Sequence, residues 1–172
     1  DDVSIIASPF YRYDGKKKIL SCTFEKALLR NSFKDFFEGS FLMCTGSFIC
    51  LRSSLLKCPF NEKIRRYEDF DVWFQLLRNA KVLTDDKPVI TINDQYSSAS
   101  YKREDIKEDF VGHLDFRGKS FWEKMCLYKL FLWERLNYPK QMKELYPTLY
   151  WRFDYLLIYK LINLWNKLKA RK

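Results

Sequence analysis

The stretch that decides the reading is Phe60-Asn61-Glu62-Lys63-Ile64-Arg65-Arg66-Tyr67-Glu68-Asp69-Phe70-Asp71-Val72-Trp73-Phe74-Gln75-Leu76-Leu77-Arg78. From Glu68 to Ala80, the residues Phe70, Trp73, Phe74 and Leu77 recur at i, i+3, i+4, i+7, which marks one buried face of an α-helix. Three carboxylates, Glu68, Asp69 and Asp71, open that helix. Acids there are favoured by the positive end of the helix macrodipole, by about 0.3–1 kcal/mol each, and that alone accounts for their presence. A chemical account stands beside it. A carboxylate anchored at the start of a buried helix is rigid and is kept ionised, as a general base must be. All three cannot be bases; Glu68 or Asp71 suits capping the helix or orienting a substrate hydroxyl.

Working outward, Val3 to Ala7 is a short β-branched run and predicts a buried strand. Phe10 to Tyr13, Asp14-Gly15 and Lys16 to Leu20 predict a hairpin, since Asp-Gly favours a type I′ turn. A helix is expected from Thr23 or Phe24 to Glu38, with Gly39 placed to end it. Phe41 to Cys44 and Ser47 to Leu51 read as short strands on either side of Thr45-Gly46, followed by a short helix from near Ser53. Strands are expected at Lys81 to Leu83 and Pro88 to Ile92, with Asp85 and Asp86 in a solvated turn between them. Asn93 to Arg103 reads as a loop, and Glu104 to Asp115 as a helix. From Ser120 onward the chain reads as long helices broken at Tyr138-Pro139 and Tyr146-Pro147. The sum is an α/β chain that ends in helices.

Composition removes several classes of function. Of 172 residues only five are Gly, and neither a G-x-G-x-x-G dinucleotide loop nor a P-loop is present. The single histidine, His113, excludes an H-E-x-x-H protease and reads as a helix-surface residue. Cys22, Cys44, Cys50, Cys58 and Cys126 are odd in number and form no C-x-x-C pair, so they read as buried free thiols of a reducing compartment. Cys44 and Cys50 flank Thr45-Gly46 and are expected in strand cores. The opening Asp1-Asp2-Val3-Ser4 runs straight into a strand, as a piece of a longer protein would.

Charge divides the chain into two regions. Residues 1–118 carry 19 basic and 18 acidic side chains, a net of +1, whereas residues 119–172 carry 12 and 4, a net of +8. Trp122, Trp133, Trp151 and Trp165 fall in the second region. On a helical projection Arg152, Lys160, Asn163, Asn166, Lys167 and Arg171 share one side, and aromatic and aliphatic residues from Trp151 to Leu168 cover the remainder. That broad apolar face must be covered by the first region, a partner or a bilayer surface. No apolar run approaches the ~20 residues needed to span a membrane, so an interfacial helix on anionic lipid is expected. Nucleic-acid binding is disfavoured, because the aromatics follow helical spacing rather than alternating with Lys and Arg along a groove.

The run from Phe60 to Arg78 resembles the acceptor-side signature of family 2 glycosyltransferases with the GT-A fold. In that family an F-D-E-like stretch precedes a Glu-Asp pair, then an acid, an aromatic and a helix ending near Arg. Gly46 with Ser47 to Arg52 is similar to the family's small-residue strand before the pair. Val3 to Ala7 with its hairpin is similar to the strand after the family's metal-binding motif. The resemblance covers residues 3–101. It implies that residues 1–118 are the C-terminal, acceptor-side part of a GT-A domain, followed by basic helices over 119–172. It also implies that Asp69 is the base, that Glu68, Asp71, Thr45, Gly46 and Ser47 surround acceptor and donor sugar, and that Ser98, Ser100, Lys102 and Arg103 contact the diphosphate. The implied reaction is inverting transfer of a hexose-type unit from a nucleotide sugar to a glycan or lipid-linked acceptor, as in surface polysaccharide assembly. A divalent Mg or Mn ion would stabilise the leaving diphosphate, its ligands mostly outside this chain. Two features depart from the pattern. No β-α unit with a D-x-D motif is present, and Asp94-Gln95-Tyr96 stands where Arg or His is usual. The competing expectation is a non-catalytic α/β interaction module whose basic tail docks on a membrane or a partner.

Overall fold

The computed structural model describes residues 3–94 and 105–169 and is a mixed α/β structure. Six strands form two small sheets. The first has the order β4-β1-β5, from β1 (Ile5–Ala7), β4 (Phe48–Cys50) and β5 (Val82–Thr84). There β1 runs antiparallel to β4 and parallel to β5. The second has the order β3-β2-β6, from β2 (Phe10–Tyr13), β3 (Lys18–Leu20) and β6 (Ile90–Asn93). Here β2 and β3 are the expected hairpin, and β6 lies parallel to β2. Tyr13 pairs with Lys18, so the connection is a four-residue loop rather than a two-residue type I′ turn. The Asp14 carboxylate closes that loop by accepting from the N–H groups of Lys16 and Lys17, which holds its pKa below the ordinary value.

The helix that opens the sequence reading is α3, Glu68–Asn79, preceded in the chain by α1 (Ser32–Glu38) and α2 (Arg52–Leu55). It buries Val72, Trp73, Phe74, Leu76 and Leu77. The Phe74 ring meets Phe33 at 5.4 Å, Phe36 at 6.1 Å and Phe110 at 5.5 Å, centroid to centroid. Burying such aromatic area against neighbouring rings is the largest local source of stability here.

Two expected helices take other forms. Only Ser32–Glu38 of the 23–38 stretch is helical, with the Asn31 side chain capping its start and Gly39 ending it at φ 81°. The residues before it lie along the free edge of β5. Leu29 N–H donates to the Val82 carbonyl, Thr84 N–H to the Ala27 carbonyl, and the Thr84 hydroxyl bonds with the backbone of Ala27. An unpaired strand edge has thus outcompeted the helix. Likewise Asp105 to His113 holds two short 3-10 helices, Ile106–Glu108 and Phe110–His113, in place of one α-helix. The Glu108 carbonyl accepts from Arg65 and Arg66, and Phe110 N–H donates to the Arg66 carbonyl, so these groups are withdrawn from a helical ladder. Phe41 to Cys44 forms no strand.

The basic region is four helices: α4 (Phe121–Asn137), α5 (Pro139–Leu145), α6 (Pro147–Tyr150) and α7 (Phe153–Lys169). Pro139 and Pro147 stand at helix starts, where the missing N–H costs nothing. This region shares a core with the first. Phe37 of α1 packs on Trp122 and Tyr159 at 5.8 Å each, and the Cys126 thiol donates to the Phe33 carbonyl. On α7, Tyr155, Ile158, Tyr159 and Ile162 pack against that core, while Leu157, Leu161 and Leu164 stay exposed. No described helix is long and apolar enough to cross a membrane.

The first sheet is apolar on both faces. Ile5, Ala7 and Val82 are buried beneath it. On the other face the register aligns Leu28, Leu83, Ile6 and Ile49 in one row, with Ile49 68% exposed.

Glu123 ties the two regions together by charge. It is 3% exposed in its side chain, and its Oε1 accepts from Arg78 Nε and Nη2 at 2.7 Å each. Arg78→Ala should therefore lower the unfolding free energy by about 3 kcal/mol in urea denaturation, because it leaves the buried carboxylate only the longer 3.9 Å contact with Lys119. Replacing both partners by Leu should recover most of the loss.

Candidate active site

Asp69 sits in the first turn of α3, and its placement begins two residues earlier. Tyr67 adopts the left-handed conformation at φ 55°, ψ 30°, the sole described residue other than Gly with positive φ. A residue with a Cβ pays strain there, so the neighbouring structure must hold it. Holding comes from Arg66. Its Nε lies 2.6 Å from Oδ1 of the fully buried Asp109, and its Nη2 donates to the Asp105 carbonyl at 3.0 Å.

Half-buried Asp69 accepts at Oδ2 from the Thr45 hydroxyl and at Oδ1 from Phe70 N–H, each at 3.0 Å. Burial raises its pKa above the usual carboxylate range. The Thr45 hydrogen bond works against that rise, and the negative charge of Glu68 adds to it. Glu68 itself is exposed beside it. This carboxylate is partly desolvated and oriented by two donors, which keeps it selective about its proton and able to take one.

Thr45 and its neighbours form a closed turn. Ser47 is buried, its N–H and hydroxyl both donate to the Cys44 carbonyl, and its Oγ accepts from Cys44 N–H. Ser47 therefore builds the turn and presents no hydroxyl to a cleft. Gly46, at φ 93°, carries the chain past β6. A Cβ there would lie 3.3 Å from Ile90 Cδ1 and be strained by the backbone angle. Of the three expected wall residues, Thr45 is the one the structure joins to Asp69.

Asp71 is placed elsewhere. Two residues on a helix turn about 200°, and its Oδ2 accepts from Gln75 Nε2 at 3.0 Å, a nitrogen that also donates to the Pro59 carbonyl. Burial raises its pKa; Gln75, Arg78, His113 and Lys119 oppose the rise. Asp71 thus belongs to the side of α3 facing the α3–α4 junction. Ser98, Ser100, Lys102 and Arg103 lie outside the described residues.

One ion pair escaped the sequence reading. Arg12 of β2 makes a bidentate pair with Asp94, at 3.0 Å and 2.9 Å, just beyond β6. Asp94 thus anchors a cation instead of supplying one. Cys44 is a half-buried turn residue rather than a strand-core thiol. Its pKa is raised by burial and by the charge of Asp69, and lowered by Arg12. Of the others, Cys58 and Cys126 are buried while Cys22 and Cys50 are half-buried. His113 is exposed and bonds the Lys107 carbonyl through Nε2, outside any triad.

Among the described residues no group of three or more His, Cys, Asp or Glu side chains is placed to hold a metal ion, and the expected divalent cation was to take its ligands mostly from outside this chain. The chain matches no model of a known protein family, no curated protein and no solved structure. The glycosyltransferase likeness therefore rests on the residues quoted above.

The raised pKa of Asp69 makes a prediction about stability. Below about pH 4 the carboxyl is protonated in both folded and unfolded chains and contributes nothing. As pH rises through the unfolded value, the unfolded chain ionises first and stability falls. Asp69→Asn should therefore raise the melting temperature at pH 7 and leave it nearly unchanged at pH 3, by calorimetry at both.

Proposed function

We propose that this chain is the acceptor-side part of an inverting GT-A-type glycosyltransferase, acting on a nucleotide sugar and a glycan or lipid-linked acceptor. The observation that carries the reading is the Asp69 carboxylate, half-buried at the head of α3 and oriented by Thr45 and Phe70 N–H. In the reaction, the acceptor hydroxyl oxygen bonds to the anomeric carbon as the bond from that carbon to the diphosphate breaks. Asp69 takes the hydroxyl proton, and the nucleoside diphosphate departs with the bonding pair. Thr45 and Phe70 N–H each engage one carboxylate oxygen and so fix the orientation of the group, with a further lone pair on each oxygen open to the proton. Arg12, paired with Asp94, is the cation we assign to the diphosphate side. The Ser98, Ser100, Lys102 and Arg103 contacts remain part of the proposal from sequence alone.

Two further features support it. The apolar row Leu28, Leu83, Ile6 and Ile49 suits a mixed sheet covered on both faces, as in a larger α/β body that includes a nucleotide-binding half. The exposed Trp151, Leu157, Leu161 and Leu164, on a region of net charge +8, suit a peripheral seat on anionic lipid at the cytoplasmic face.

The test is made on the full-length polypeptide with a panel of nucleoside-diphosphate hexoses and a sugar linked to a lipid phosphate. Asp69→Asn should cut the release of nucleoside diphosphate by about a hundredfold or more, the usual scale for a lost general base, with donor affinity nearly unchanged. Retained turnover would remove Asp69 from its role and favour the interaction module.

A further inference from the structure

Beyond the transferase reading, and independent of it, we propose that the groove between α4 and α7 is a binding site for the aliphatic chain of an anionic, phosphate-bearing amphiphile. The groove encloses about 700 Å³, within the roughly 300–1,000 Å³ typical of small-molecule sites. Its walls include Phe70, Leu130, Trp133, Leu136, Leu156 and Tyr159. Trp133 and Leu136 are 67% and 82% exposed, an apolar surface that water covers at a cost until a chain replaces it.

Charge selects the head group. Among the described residues, Lys129 and Arg135 are the charged side chains lining the groove, and both are cations. Lys129 uses one donor on the Phe37 carbonyl at 3.0 Å, and an ammonium group has three. Arg135 holds its guanidinium over the Tyr150 ring, 4.2 Å from Cζ to the centroid. A guanidinium carries five N–H donors in a fork that meets a phosphate two bonds at a time. The buried residue Glu134 lies on a neighbouring cleft of about 280 Å³, together with Tyr67 and Phe70. The two hollows share Phe70, Leu130 and Trp133, so the apolar path continues to the first turn of α3.

The experiment titrates the whole chain by calorimetry with dodecyl phosphate, below its micelle-forming concentration, against dodecyl maltoside. Saturable one-to-one binding is expected, about tenfold or more tighter for the phosphate, as charge-assisted hydrogen bonds imply. Leu136→Asp, at a position too exposed to disturb folding, should weaken both ligands by about tenfold. Arg135→Gln should weaken the phosphate alone. No saturable binding, equal affinity for the two heads, or indifference to Leu136→Asp would overturn the proposal. So would binding to anionic vesicles that depends on Leu136 while monomeric dodecyl phosphate fails to bind, since the face would then meet a bilayer rather than hold a chain.

Discussion

Arg66 Nε lies 2.6 Å from an oxygen of Asp109, a carboxylate with no solvent exposure. Taking such a charge out of water is expensive, and only a well-placed partner repays it. The pair can therefore form in one arrangement: the backbone of Arg65 and Arg66 against that of Glu108 and Phe110. Once that clasp is closed, Tyr67 has to turn through the left-handed region to enter α3, and Glu68 and Asp69 follow in its first turn. Buried ion pairs of this kind contribute more to a single geometry than to net stability. Here the geometry is where one carboxylate meets Thr45.

The far end of α3 is held in the same manner. Arg78 reaches the buried Glu123 at the start of α4, where Ser120 caps that helix through Glu123 N–H. Charge thus fixes both ends of the helix, while Phe33, Phe36, Phe74 and Phe110 fill the space between. The basic region is consequently no loose appendage: α4 and α7 close the core of α1 and then present the remainder of their apolar surface outward. That division explains why so broad an apolar face is compatible with a folded chain. Tyr155, Ile158, Tyr159 and Ile162 of α7 are used for packing, and the Leu157, Leu161, Leu164 stripe is left over.

What could be read from sequence was what local chemistry decides. The 3.6-residue spacing of Phe70, Trp73, Phe74 and Leu77 marked α3; Gly39 ended α1; Pro139 and Pro147 divided the terminal helices. The failures share a cause, which is competition from distant backbone. Residues before Ser32 carry helical spacing, but the β5 edge offered them hydrogen bonds. Residues 104–115 did likewise, and the Arg66–Asp109 clasp claimed their carbonyls. At the candidate site, Thr45 was named beside Asp69 only through the glycosyltransferase resemblance, and the structure joins the two by one hydrogen bond. Arg12 with Asp94 was not legible, since 82 residues separate them and each alone is an ordinary surface charge. Ser47 was read by type as a polar wall, whereas its hydroxyl is consumed within its own turn.

The account stands on Asp69 as a proton acceptor tuned by burial and by Thr45, and the pH dependence of kcat/KM for sugar transfer by the full-length polypeptide addresses it directly. The acidic limb of that profile reports the pKa of the base in the free enzyme. It should lie above the ordinary aspartate value and move higher in Thr45→Val, which deletes the hydrogen bond favouring the ionised form. An acidic limb that stays in place when Thr45 loses its hydroxyl would contradict the account.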